Sequence, residues 1–266
     1  VANRSLGNYT VAEENINLFL QAYAEGNPHQ QAAVREKEAL RFIKSQLERP
    51  DSVLYHIQRI NASFGAQKGV YAPASMMGDQ LLITSTQSDS IVKAGINPYH
   101  SRLFSVSLNE GSLQNMQPIT IDGIDVSRNQ GAASISASGN YLYFTQWTKE
   151  NGKTNSSVYF ARKGDNGWTT PTLLPLVNLE GYNSKQPFCS ADGKYLFFSS
   201  DRPGGFGQFD IWYAVVREGG TIAEPVNAGA VLNSAVNEQA PFYHNSSNTL
   251  VFSSDRMPGM GGFDLF

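Results

Sequence analysis

Two acid–arginine pairs are the first residues to weigh for chemistry. Asp201-Arg202 is followed by Asp210, and Asp255-Arg256 by Asp264, with a glycine-rich loop between the acids of each copy. Carboxylates facing each other across a short loop can converge on a cation, and calcium is the ion they would take. A calcium loop, however, carries a dense run of oxygen ligands, which these loops lack. The other use is structural: each Asp accepts main-chain N–H bonds in its turn, while the Arg pairs with a neighbouring acid. Recurrence favours that use, because a catalytic group is needed only once. Asp201, Arg202, Asp210, Asp255, Arg256 and Asp264 are therefore read as repeat-motif residues. No cofactor or metal is expected, and bound calcium is kept as the alternative.

The remaining chemistry is thin. Gly204-Gly205-Phe206-Gly207 runs into a strand, whereas a phosphate-binding loop opens a helix whose N-terminus faces the anion. These glycines are expected to supply positive φ in a long hairpin connection. His29, His56, His100 and His244 have no metal-ligand spacing to one another or to Cys189, and no Gly-x-Ser-x-Gly elbow is present. No carboxylate pair stands out as a glycosidase couple. The best binding candidate lies where the pattern is interrupted. An insertion over Gln87–Tyr99 places Ile91, Val92, Ile96, Pro98 and Tyr99 in a long connection, the kind of loop that rigid scaffolds use to bind partners.

The elements that must position these residues follow from a repeat. Leu81, Leu142, Leu196 and Leu250 sit in matching apolar runs spaced 61, 54 and 54 residues apart, the signature of stacked supersecondary units. Each unit has room for four strands, and Pro118, Pro171 and Pro225 recur in the last of them. Proline cannot donate to a ladder, so that strand is an outer edge. In Tyr195-Leu196-Phe197-Phe198 and Tyr141-Leu142-Tyr143-Phe144 both faces are apolar, so neighbouring sheets must cover both. Small four-stranded sheets stacked face to face with proline at the rim describe a mostly-β fold, a β-propeller. About four blades are visible. Phe266 falls inside the third strand of a unit, so more chain and a larger ring, of six blades, are expected.

Ahead of the repeats, residues 1–52 read as a helical hairpin and 53–266 as the propeller, with Val53–Ile60 as a strand. Thr10 and Glu13 have the spacing of a capping box, the first helix runs to Glu25, and the second spans Gln31–Leu47. The first ten residues are expected to be loosely held. The hairpin is either the end of a tetratricopeptide-like array or a cap on the β domain.

Composition excludes several partners. A net charge of −3 over 266 residues gives no basic face for nucleic acid, no apolar run reaches the ~20 residues of a bilayer span, and Cys189 is alone.

The run Asp192-Gly193-Lys194-Tyr195-Leu196-Phe197-Phe198-Ser199-Ser200-Asp201-Arg202, continued by Asp210-Ile211-Trp212-Tyr213, resembles the PD40 (TolB-type, WD40-like) propeller repeat. Asp255-Arg256 and Phe263–Phe266 repeat it, while Thr145-Gln146-Trp147 and Thr84-Ser85-Thr86 lack the Asp-Arg pair. Its Pro-Gly-Gly-Phe-Gly form is similar to that of OmpA-family envelope proteins of Gram-negative bacteria. The resemblance implies tetratricopeptide-like helices before the propeller, a peptidoglycan-binding domain after it, and a place in the periplasm at the outer membrane. It implies a non-catalytic scaffold whose partners are other envelope or outer-membrane proteins, within an assembly for secretion or outer-membrane protein biogenesis. Peptidoglycan would be reached only through the further domain. The alternative is the propeller part of a hydrolase, such as a serine peptidase, or a carbohydrate-active enzyme.

Overall fold

A computed structural model describes residues 2–23, 29–49, 60–62, 69–76, 78–88 and 99–266. The chain divides into two compact units, one of residues 1–58 with 254–266, the other of residues 59–253.

The first unit is built on three helices, α1 (Ala2–Ser5), α2 (Tyr9–Ala22) and α3 (Gln30–Leu47). The hairpin buries Ala12 from α2 and Ala39, Leu40 and Ile43 from α3, residues at helical spacing on each facing stripe. The expected capping box does not form. Asn8 is the N-cap, without a side-chain bond, and Thr10 lies inside the helix. Glu13 is instead drawn across the hairpin to Lys44, whose ammonium holds its carboxyl below the usual range. Nor are the first residues loose. Arg4 pairs with Glu36 at 2.6 Å, both side chains largely covered, and donates to the Met260 carbonyl of the same unit.

The second unit carries four small sheets arranged as propeller blades. Blade one comprises β1 (Asn61–Ala62), β2 (Val70–Ser75), β3 (Gln80–Ser88), β4 (Tyr99–Asn109) and β5 (Ser112–Pro118). Blade two has β6 (Asn129–Ile135), β7 (Tyr141–Glu150), β8 (Lys153–Gly164), β9 (Gly167–Trp168) and β10 (Thr172–Leu173). Blade three has β11 (Ser184–Cys189), β12 (Tyr195–Ser200), β13 (Asp210–Val215) and β14 (Val226–Asn227). Blade four begins with β15 (Glu238–His244) and β16 (Thr249–Ser254), and the short β17 (Asp264–Leu265) falls in the helical unit. Pairing is antiparallel from the inner strand outward, with β1 added parallel to β5 outside the proline-bearing strand. The predicted strand at Val53–Ile60 lies outside the described residues, apart from Ile60.

The two-faced apolar strands are covered as their pattern requires. Leu142 and Phe144 pack with Leu82 and Leu103 of blade one, while Tyr143, on the opposite face, packs with Leu196 and Phe198 of blade three. All three blade-two residues are fully buried. Each such side chain stabilises the fold by about 1.5–3 kcal/mol, and truncating Phe198 to Ala would cost about 3–5 kcal/mol. On its other face, blade three meets blade four through rings, with Phe197 and Tyr243 centroids at 5.4 Å and Phe188 and Phe242 at 5.0 Å.

Candidate functional site

The inner strand of every blade contains a bulge, and the bulge makes the site. Ala72, Ala132, Gln186 and Ala240 all take the left-handed conformation, at φ of 50°, 43°, 55° and 51°. Register shifts mark the first three bulges, between Tyr71 and Ala74, Gly131 and Ser134, and Lys185 and Phe188. Non-glycine residues occupy this region at a cost of about 1 kcal/mol or more, so something must hold them there. For Ala132, Gln186 and Ala240 the neighbouring blade does. Ala132 N–H donates to Thr84 Oγ1 at 3.0 Å and Gln186 N–H to Thr145 Oγ1 at 2.8 Å, while Ala240 N–H donates to Gln186 Oε1 at 3.0 Å. Ser199, at the position matching Thr84 and Thr145, donates to the Glu238 carbonyl at 2.6 Å. These are side-chain latches between consecutive blades.

The inner strands converge on a common axis, where Ala72, Ala132, Gln186 and Ala240 border one small cavity. The residues just before the bulges are Tyr71, Gly131, Lys185 and Gln239, at one position of four successive repeats. The first three border a cavity of about 460 Å³, together with Trp147, Thr154, Ser156 and Phe209. Gly131 is required: a Cβ there would lie 3.0 Å from the Trp147 ring and 2.9 Å from Thr84. The benzo edge of the indole thus rests on bare backbone. Tyr71 donates to Ser101 Oγ at 2.8 Å, and burial pushes its phenol up.

Lys185 is the charge in this cavity. Its Nζ donates to Gln239 Oε1 at 2.8 Å and stands 3.8 Å from the centre of the Phe209 ring. Burial brings the ammonium down to about 8, with nearby Asp201 acting the other way. A second cavity, of about 330 Å³, lies at the far ends of the inner strands and is bordered by Phe188, Cys189, Phe242 and His244. Its Cys189 thiol is buried and pushed up to about 11.

The motif residues lie elsewhere, in the hairpin connections of blades three and four. Asp201 accepts the Asn183 main-chain N–H at 2.5 Å and its amide at 2.9 Å. Asn183 in turn accepts the Ser156 N–H, so the acid secures the step from blade two to blade three. Asp210 accepts the N–H groups of Phe206 and Gly207 and the Asn227 amide. Arg202 donates to the carbonyls of Leu176, at 3.0 Å, and Val177, and lies over Phe198 and Trp212. Its donors go to main-chain carbonyls and a serine, where pairing with a neighbouring acid was expected. In the second copy Asp264 accepts Met260 N–H and Gly261 N–H, Arg256 bonds Ser254 and covers Phe266, and Asp255 precedes them in the turn. The glycines also differ from expectation: only Gly204 of the blade-three loop has positive φ, whereas Gly205 is needed because a Cβ would strike the Asp210 carboxylate. No group of three or more His, Cys, Asp or Glu able to hold a metal occurs among the described residues. Of the insertion, Ile91, Val92, Ile96 and Pro98 lie outside the described residues, and Tyr99 is the exposed first residue of β4.

Sequence reasoning thus passed over Tyr71, Trp147 and Lys185. A signal was present: counted from the anchor leucines, Trp147 stands where the motif places Asp201 and Asp255, so it marks a departure from the repeat.

No family model matches the chain, and no curated protein matches it. Solved structures similar to it include a TolB, a peptidase and a glycoside hydrolase. TolB from Acinetobacter baumannii is 14% identical with a TM-score of 0.42, over 76% of this chain and 41% of TolB. A puromycin-hydrolyzing peptidase from Mycobacterium tuberculosis is 13% identical with a TM-score of 0.40, over 74% of this chain and 38% of that one. A glycoside hydrolase is 11% identical with a TM-score of 0.46, over 74% and 68%. The chain spans about two-fifths of the length of the first two.

Proposed function

We propose that this chain is a non-catalytic interaction module of the bacterial cell envelope, an accessory subunit of an outer-membrane-associated assembly in the periplasm. A longer form would be tied to peptidoglycan through an OmpA-like domain. The observation carrying the reading is the cavity at the start of the inner strands, where three blades bring Tyr71, Trp147 and Lys185 to one preformed pocket on a latched scaffold. Rigid frames of this kind recognise partners at little ordering cost. The envelope setting rests on the resemblance carried by the Asp-Arg repeat units.

A photo-crosslinking residue at position 147, with a second at the exposed Val231 as control, tests this. In envelope membranes of the source cell, position 147 is expected to yield an adduct with one envelope protein and position 231 none. Recovery of the chain alone from both positions, in mild detergent, would overturn it.

The second reading is the propeller part of a hydrolase. Lys185 favours it, since a lysine that titrates near 8 is suited to general-base work. Turnover of an ester or glycoside that Lys185→Met abolishes would select this reading over the first.

A further inference from the structure

The cavity at Lys185 offers a charged donor beside side chains already tied into the fold. Several of its acceptors are engaged inside the fold. Thr145 Oγ1 takes the Gln186 N–H, Gln186 Oε1 takes the Ala240 N–H, and Asn183 Oδ1 takes the Ser156 N–H and hydroxyl. The Asn183 amide is spent on Asp201, and the Tyr71 hydroxyl on Ser101. Among the described residues bordering the pocket the charged side chain is Lys185, a donor. Lys185 Nζ has one acceptor, Gln239 Oε1, for three protons, and Gln186 and Trp147 border the same cavity.

Two ring faces accompany this donor. Trp147 is held by the bare backbone of Gly131, and Phe209 lies under the ammonium. A neutral sugar would bring hydroxyls but no charge to meet the ammonium. A carboxylate brings only acceptors and the opposite charge. Asp201 favours the charged form of Lys185, and Tyr71, which borders the same cavity, has a phenol that burial pushes up and keeps neutral.

Building on the interaction-module reading, we propose that the cavity bordered by Lys185, Gln186 and Trp147 binds a carboxylate of a partner polypeptide, with the adjoining apolar side chain stacked on Trp147. The carboxylate accepts from Lys185 Nζ and Gln186 Nε2. A volume of about 460 Å³ holds two or three residues, enough for a chain end or an acidic turn and too little for a folded element.

Tryptophan fluorescence provides the test. Of three tryptophans, Trp168 and Trp212 are 4% and 7% exposed, which leaves Trp147 as the reporter facing the cavity. The full chain is titrated with four probes: acetyl-Ala-Ala-Phe as the free acid, the same peptide as its amide, acetyl-Ala-Glu-Phe-amide, and a glucuronic-acid disaccharide. At least one carboxylate peptide is expected to bind about tenfold or more tightly than the neutral amide, the ratio typical of a charge-assisted contact. A preference for the free acid identifies a chain terminus, and a preference for the glutamyl peptide an acidic side chain. Lys185→Met should erase the preference and Lys185→Arg should keep part of it, with a native circular-dichroism spectrum and unchanged melting confirming that both variants fold. Equal affinity of both carboxylate peptides and the neutral amide overturns the inference, and so does tighter binding of the uronic acid. If the peptides fail while position 147 still crosslinks an envelope protein, the carboxylate assignment falls and the interaction module stands. If neither occurs, both fall.

Discussion

Arg202 and Lys185 are both cations sunk into blade three against aromatic rings, and the fold uses them in opposite ways. The Arg202 guanidinium lies over Phe198 and Trp212 and spends its donors on Leu176, Val177 and Ser200. Lys185 stands on Phe209 with a single amide acceptor, at the edge of a cavity. Arginine suits the first task because its planar fork reaches two carbonyls at once while staying charged. A lysine at the second keeps protons to offer. One cation is absorbed by the scaffold, and the other faces outward from it.

The largest effect should therefore come from the absorbed cation. Arg202→Ala leaves two carbonyls without their donor and opens space against two rings, and is expected to cost about 3 kcal/mol in urea denaturation. Arg202→Lys should recover less than half of it, since one ammonium cannot span both carbonyls. A cost below about 1 kcal/mol would mean that the motif arginine is not structural and would erase the contrast with Lys185.

The acid of the same pair comes next. Asp201→Ala removes two bonds to Asn183 and loosens the clamp on Ser156 N–H, for an expected loss of about 2 kcal/mol. Because this carboxylate also favours the charged form of Lys185, the variant should lower the lysine's apparent pKa further below about 8, readable by NMR of the Lys185 side chain. An unchanged value would show that Asp201 does not act on the lysine.

Thr145→Val is a smaller and cleaner cut. It keeps the shape of the side chain and strips the latch from Gln186 N–H, for about 1–2 kcal/mol. Gln186 sits between the latch and the cavity, so the same variant should weaken binding of any cavity ligand while leaving Arg202 untouched. A stability loss with unchanged binding would separate the latch from the site.

The scaffold was far more legible in the sequence than the site, for a physical reason. Period, proline rims and two-faced apolar strands each recur, and recurrence can be read by aligning the chain with itself. Leu142 and Tyr143 had to be covered on both sides, and they are. Asp210 and Asp264 recur in the same way, and each accepts two N–H groups of its loop. Tyr71, Gly131 and Lys185 share one repeat position but not one chemistry, so no pattern joined them until the bulges turned them toward a single cavity. The capping box failed on a similar point, because Glu13 had a tertiary partner in Lys44 that local spacing could not reveal.

The smallest expected change in stability is at Lys185, and its pH dependence carries the sign. Burial lowers the folded-state pKa to about 8 from an ordinary value of 10.5, so folding disfavours the charged form. Below about pH 8 that penalty is fully present. As pH rises from 8 toward 10.5 the folded chain sheds the proton first, and the wild type gains stability over the same window. Lys185→Met loses the Gln239 bond and the ring contact but also loses the penalty, so at pH 7 its midpoint should lie within about 0.5 kcal/mol of the wild type. Measured in parallel from pH 7 to 9.5, the variant should fall progressively behind, because only the wild type has a proton to release. A variant that is strongly destabilised and equally so at every pH would place Lys185 beside Arg202 as a structural cation, and the cavity would lose its reason for holding a charge.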